Sequence, residues 1–258
     1  MALLKVSNLT KNFGGLCAVS NVNMEINEKE LIGLIGPNGA GKTTLFNLLT
    51  GVYEPSEGSI QLNVDGTMKE IGGMKPYKVT HMGLARTFQN IRLFKNLTVL
   101  DNVKIAMHQN IKYGSIQAIL RTPKFYKEEE RVLKKAEEYL QVVKLFDKKD
   151  ELAKNLPYGE QRRLEIARAL AIEPKILFLD EPAAGMNPQE TADLTKLIHQ
   201  IKDDFNLTII LIEHDMSLVM TICERIYVLD YGKCIANGVP EEIKNNKRVI
   251  KAYLGEDI

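Results

Sequence analysis

Eight residues constrain this chain more than any others: Gly36-Pro37-Asn38-Gly39-Ala40-Gly41-Lys42-Thr43. The apolar run Leu31 to Ile35 before them reads as a buried strand, and Thr43 to Thr50 resumes with a helical period. Strand, glycine-rich turn and helix, with glycine, glycine, lysine and threonine at these spacings, make a phosphate-binding loop. Glycines let the backbone turn tightly and approach an anion closely, so that successive N–H groups converge on phosphate oxygens. The helix beginning near Gly41 adds the positive end of its dipole. Lys42 is expected to reach the β- and γ-phosphates as a point charge and the Thr43 hydroxyl to ligate Mg²⁺, with Gly36 through Thr44 forming the nucleotide cradle.

Such a loop needs a parallel sheet around it, and the second half of the chain carries one. Strand Lys175 to Leu179 stops at Asp180-Glu181-Pro182, and strand Leu207 to Ile212 stops at Glu213-His214-Asp215. Helices are expected over Gly159 to Ala171, from Pro188 with Leu194, Leu197, Ile198 and Ile201 on its buried face, and over Met216 to Cys223. A hairpin follows about Asp230-Tyr-Gly232. Strands alternating with helices place a ligand at the strands' carboxyl ends. Ahead of the loop, Leu3 to Leu9 and Val19 to Ile26 read as antiparallel strands joined by a turn at Lys11 to Gly15. Ser59 to Val64 reads as another strand, and Asp65 to Gly73 as a loop. Leu97 to Gln109 and Lys127 to Leu145 read as helices of an insertion, the second presenting Val132, Leu133, Ala136, Leu140 and Val143 on one face. The expected organisation is a single α/β domain: an antiparallel β region (1–30 and 52–75), a nucleotide-binding core (31–51 and 170–230), a helical subdomain (90–168) and a C-terminal hairpin with helices (231–258).

Composition narrows the partners. Lys plus Arg number 34 against 33 Asp plus Glu, a net charge of +1, so no global field points to nucleic acid. The cysteines Cys17, Cys223 and Cys234 lack metal-ligand or Cys-x-x-Cys spacing and read as small buried hydrophobes in a reducing compartment. Met1-Ala-Leu-Leu-Lys lacks the look of a signal peptide, and no apolar run approaches the roughly 18 residues that span a bilayer. A membrane role therefore has to come through a partner.

Asp180, delivered by an apolar strand to the sheet edge, is placed to hold Mg²⁺, and Glu181 to polarise an attacking water. Taken alone, the two carboxylates are equally compatible with a helix-capping turn. His214 ends the neighbouring strand near the expected γ-phosphate. Gln89 offers an amide to Mg²⁺ or to the water. Phe13 is either a base-stacking aromatic or a packed turn residue. Gly159 opens a helix whose free N–H groups suit an anion.

Taken together, these residues resemble the ATP-binding subunits of ABC transporters over essentially the whole chain, and within them the longer ATPase of branched-chain amino acid importers. The likeness rests on Gly83-Leu-Ala-Arg-Thr-Phe-Gln89 with Arg92-Leu-Phe94, Leu156-Pro-Tyr-Gly-Glu-Gln-Arg-Arg-Leu-Glu-Ile-Ala-Arg168, Asp180-Glu-Pro-Ala-Ala-Gly-Met-Asn-Pro188 and Ile212-Glu-His-Asp-Met216. It implies a P-loop NTPase fold, ATP and Mg²⁺ as ligands, and roles for single residues. Phe13 would stack on adenine, Gln89 would be the Q-loop and His214 the switch histidine. Leu156, Pro157, Tyr158, Gly159 and Glu160 would be the signature, and Ala184 to Asn187 the D-loop. It further implies a head-to-tail dimer in which each ATP lies between one subunit's phosphate loop and the other's signature. Two integral membrane permease subunits, a second ATPase (a copy or a paralogue) and, indirectly, an extracellular solute-binding protein would complete a complex at the cytoplasmic face of the membrane.

Two motifs depart from the family pattern. Pro157 stands where a serine hydroxyl is usual and Tyr158 where a glycine is, so fewer trans contacts are expected; Asn187 replaces an aspartate. A DNA- or ribosome-associated ABC ATPase would carry long coiled-coil insertions or two fused ATPase domains, and this chain has neither. A lipid exporter or urea importer is the nearer rival, with Pro157 speaking against lipopolysaccharide-type exporters.

Overall fold

In the computed structural model, which describes residues 2–254, the chain builds two sheets and ten α-helices among the described residues. Strands β1 (Ala2–Phe13) and β2 (Leu16–Asn27) form a long hairpin, and β3 (Leu31–Ile35) leads through the phosphate loop into α1 (Lys42–Leu49). After these come β4 (Glu57–Val64), β5 (Thr67–Glu70), α2 (Pro76–His81) and β6 (Leu84–Arg86). The insertion holds α3 (Val99–Ala106), α4 (Ser115–Ile119), α5 (Pro123–Val142) and α6 (Tyr158–Leu170). The core resumes with β7 (Ile176–Asp180), α7 (Pro188–Asp204), β8 (Thr208–Ile212), α8 (Met216–Ile222), β9 (Arg225–Asp230) and β10 (Lys233–Gly238). Two helices, α9 (Pro240–Lys244) and α10 (Lys247–Leu254), follow.

The central sheet has the order β10-β9-β3-β8-β7-β6, parallel except for β10. Strands β3, β7 and β8 are buried throughout, and mostly apolar, because both faces are covered. Ile32, Leu34, Phe178 and Ile210 face one way, toward α1 and the antiparallel sheet β2-β1-β4-β5, where Phe46 meets Phe178 edge to face at 5.2 Å. Leu31, Leu177, Leu179 and Leu211 face the other, toward α7, α8 and the insertion. With β3 central, the phosphate loop emerges beside the ends of β7 and β8.

Several local expectations are corrected. The first hairpin is longer than its alternating core: β1 runs through Phe13, and only Gly14 and Gly15 turn. The stretch read as a loop from Asp65 contains β5, reached through an Asp65-Gly66 turn with φ of 53° and 85°. All four β5 residues are exposed, so no alternation marked the strand. Strand β6 exists because Leu84, Ala85 and Arg86 pair with Ile176, Leu177 and Phe178, a contact between distant segments. Leu133 points outward while Val132, Ala136, Leu140 and Val143 are buried. Cys17 is exposed, unlike Cys223. Among the described residues no helix is long and apolar enough to cross a membrane.

Candidate functional site

The phosphate loop is fixed by close backbone packing. A side chain at Gly36 (φ +154°) would place Cβ 2.1 Å from the Leu229 carbonyl oxygen, and one at Gly41 (φ +97°) 2.5 Å from that of Ala18. Both positions therefore require glycine. Helix α1 starts at Gly41 with no side-chain cap and no acidic residue in its first turn. Among the described residues, no acceptor within the protein takes the N–H groups of Gly39, Gly41, Lys42, Thr43 or Thr44. Lys42 donates to the carbonyls of Gly36 and Pro37 at 2.6 and 2.9 Å, so its ammonium lies inside the same concavity. Burial pulls the Lys42 pKa below the ordinary lysine value, and the attraction of Glu181 opposes that. Five converging donors and a buried cation suit a polyphosphate.

The carboxylates gather across the cleft. Asp180 ends β7, and Glu181 follows with φ +46°, a left-handed conformation that costs a non-glycine residue on the order of 1–3 kcal/mol. The Glu181 N–H bond to the Ile212 carbonyl (2.9 Å) and its own carbonyl's bond from Ala184 (3.2 Å) hold it there. Gln89 Nε2 donates to Glu181 Oε2 at 2.8 Å, and His214 Nδ1 lies 3.8 Å from the same oxygen. Four expected residues, Lys42, Gln89, Glu181 and His214, thus converge. Glu213, which the sequence reading left without a role, is buried and accepts the Ala183 N–H at 2.9 Å; burial raises its carboxyl pKa, and the bond from Ala183 opposes the rise.

The oxygens expected to hold a metal would fit a hard cation. The Thr43 hydroxyl and Asp180 Oδ1 have no hydrogen-bond partner among the described residues, and Gln89 brings an amide oxygen. No three His, Cys, Asp or Glu side chains gather as a metal cage among the described residues. Few protein oxygens supplemented by phosphates is how Mg²⁺ is usually held.

Comparison with known proteins decides what this site belongs to. The family description "ABC transporter" matches residues 19–184, and "Branched-chain amino acid ATP-binding cassette transporter" matches residues 233–258. The chain belongs to the ABC transporter family. It is 50% identical over 254 residues, 98% of each chain, to the high-affinity branched-chain amino acid transport ATP-binding protein LivG of Salmonella typhimurium. The ADP conformation of MJ1267, an ATP-binding cassette of an ABC transporter, superimposes with a TM-score of 0.84 at 31% identity, covering 99% of this chain and all of that one. MJ0796, a dimer in a post-hydrolysis state bound to ADP and phosphate, gives 0.75 at 25% identity, covering 92% and 99%. As an ABC ATPase, the chain binds nucleotide and hydrolyses ATP.

Among the described residues no hydrogen bond of Leu156 to Glu160, the segment expected to be the signature, reaches residues 36–44 of this chain. Leu156 is buried in the core. Pro157 caps α6, whose first N–H groups, on Tyr158 and Gly159, have no acceptor among the described residues. Glu160 sends its carboxylate to Lys148 (2.7 and 2.8 Å) and its N–H to Pro157, leaving it no free donor for phosphate. Tyr158 packs beside Gly185 and accepts from the fully buried Arg162, which also donates to the Phe88 and Gln89 carbonyls at 2.6 and 2.8 Å. Glu165 pairs with Arg162 and accepts from the N–H groups of Phe88 and Arg92. The helix carrying the signature thereby clamps the backbone that carries Gln89. Phe13 is half exposed, edge to face with Tyr53 at 5.2 Å and capped by Lys11 at 5.1 Å, so one aromatic surface stays open at the hairpin's end. Asn187 caps α7, which accounts for an amide at the D-loop's end.

Proposed function

We propose that the chain powers an importer of branched-chain amino acids, two ATPase subunits closing head to tail on two ATP molecules at the cytoplasmic face of a membrane. The observation that carries the chemistry is the convergence of Lys42, Gln89, Glu181 and His214 at one sheet edge. The solute rests on the likeness to LivG, a high-affinity branched-chain amino acid transport ATP-binding protein, and the pairing on the dimeric MJ0796. The phosphate loop, Gly36 through Thr44, binds the phosphates through its free N–H groups and Lys42, and Phe13 stacks on the adenine. Glu181, held by Gln89, orients the water and takes its proton; His214 adds a donor at the γ-phosphate. Mg²⁺, held by Thr43, Gln89 and Asp180, supplies charge neutralisation on the phosphates when bound. Gly159 and Tyr158 offer the N–H groups at the start of α6 to the partner's nucleotide.

The membrane subunits dock in a cavity of about 530 Å³ between the core and the insertion, lined by Val79, Phe88, Arg92, Leu93, Phe94 and Arg168. Its wall includes Phe88, the neighbour of Gln89, so a push there reaches the catalytic carboxylate. The partner ATPase is a second copy or a shorter paralogue, and an extracellular binding protein delivers the solute. Purification from native membranes in mild detergent tests this. Two polytopic membrane proteins and an ATPase of similar size are expected, and recovery with ribosomes or DNA alone overturns transport. Glu181→Gln is expected to keep nucleotide affinity and lose about 10²–10⁴-fold in turnover; wild-type turnover removes Glu181 from its role.

A further inference from the structure

Arg86 has no part in the roles above, yet it is wedged into the centre of the site. At the end of β6, its side chain is 9% exposed, and Nη2 donates to Asp180 Oδ2 at 2.6 Å. Its Nη1 donates to Asn47 Oδ1 at 2.6 Å and to Thr50 Oγ1 at 3.2 Å. The rings of Phe46 and Phe88 lie 5.7 and 5.2 Å from the guanidinium and keep it between them. Thr43, Asn47 and Thr50 follow one another along α1 at i, i+4 and i+7, which is one helix face. The guanidinium is therefore the brace between the face that carries Thr43 and the strand end that carries Asp180.

We propose that Arg86 is a positioning residue for the divalent cation: it sets the spacing of Thr43 and Asp180 and occupies one Asp180 oxygen so that the other is presented. This rests on the reading of Thr43 and Asp180 as Mg²⁺ ligands. A planar fork spans two acceptors on different elements in a fixed geometry, which a lysine's point charge does not reproduce. Partners that orient a metal-binding carboxylate commonly govern metal affinity by ten- to a hundredfold.

The test is calorimetric titration of ADP at graded free Mg²⁺ and in excess EDTA, on the intact chain and on Arg86→Lys, Arg86→Gln and Asp180→Asn. For both Arg86 variants the Mg²⁺ midpoint is expected to rise about ten- to a hundredfold, with ADP affinity in EDTA unchanged within about twofold. If Arg86 acted only as a positive charge repelling the cation, Arg86→Gln would lower the midpoint and Arg86→Lys would leave it alone. Either of those results, or no change in both, overturns the proposal. If Asp180→Asn leaves the midpoint unmoved, the assignment of Asp180 fails and the inference with it; if it raises the midpoint while the Arg86 variants do not, only the inference fails. Should the Arg86 variants not fold, Asn47→Ala removes just the α1 anchor. A smaller rise in the midpoint is then expected, and no rise counts against the brace.

Discussion

Helices α1 and α7 are built into the same α/β core, but they begin in opposite ways. The start of α7 is closed by its own side chains: Asn187 accepts the Glu190 N–H and Glu190 accepts the Asn187 N–H, each at 2.9 Å, with Pro188 in the first turn. At α1 there is no side-chain cap, and among the described residues nothing takes the N–H groups of Lys42, Thr43 and Thr44. The start of α6 matches α1 rather than α7, with Pro157 at the cap and, among the described residues, no acceptor for the N–H groups of Tyr158 and Gly159. Unmet donors at a helix start cost stability unless water or a ligand meets them. Among the described residues α2 and α5 also begin without a side-chain cap, and of these open starts α1 and α6 are the two proposed above to meet phosphate.

Closing the open start of α6 is the severest way to break this contrast. Gly159→Asp puts a carboxylate where the partner's phosphate is proposed to sit, and the new side chain also meets Glu190, whose Oε1 lies 3.2 Å from the position of a Cβ there. Turnover is expected to fall by about 10²–10³-fold, the usual loss when an anion-stabilising donor is removed. Nucleotide affinity of the single subunit, read by fluorescence titration, should stay within about twofold. Wild-type turnover would mean that the start of α6 binds nothing. Removing the cation from the other open start has a smaller effect, on binding itself. Lys42→Ala forfeits charge-assisted bonds worth about 1.5–3 kcal/mol each, so MgATP should bind about ten- to a hundredfold more weakly; equal affinity in the same titration would separate Lys42 from the phosphates.

The two open starts were legible in the sequence for different reasons. At α1 the signal is local: strand, turn glycines, lysine and helix are contiguous, so spacing alone points to the loop, although what demands glycine at 36 and 41 is the distant backbone of Leu229 and Ala18. At α6, Gly159 showed a free helix start, but nothing local showed that Arg162, beside Tyr158, reaches across to the Gln89 backbone carbonyl, or that Lys148 claims Glu160. The Arg162 contact joins residues 73 apart in the chain, and the Lys148 contact residues 12 apart, both beyond any helical spacing. Arg86 escaped notice for the same reason, since three residues of β6 carry no period and acquire strand geometry only by pairing with β7. The buried Arg162 and Glu165 do have a sequence signal, an i,i+3 pair of opposite charge on a helix with apolar neighbours, which reads equally well as a solvated face. Glu213 sat beside His214 in plain view, and only burial distinguishes it.

A milder test addresses the closed start. Asn187→Ala removes the α7 cap, and the expected cost is about 1 kcal/mol in denaturant unfolding. Single-subunit nucleotide affinity should not change, because α7's cap is spent on its own helix. A loss of affinity larger than the loss of stability would show that this helix start also serves the nucleotide.

The subtlest prediction concerns how the turn before α7 is closed. There the Ala183 N–H is met by a carboxylate, Glu213, buried at 1% exposure, and burial raises its pKa from the ordinary glutamate value. Between the unfolded and the raised folded pKa, the folded chain holds a proton that the unfolded chain has released, so stability falls as pH climbs through that window and levels off above it. Below the window both states are protonated and the group contributes no slope. Glu213→Gln keeps an oxygen for Ala183 while removing the titration. Its unfolding midpoint is therefore expected to match wild type near pH 4 and to draw progressively above it as pH rises, reaching a constant gap. Parallel curves from pH 4 to pH 8 would place the Glu213 carboxyl at its ordinary pKa, the bond from Ala183 and the neighbouring charges then offsetting the whole effect of burial.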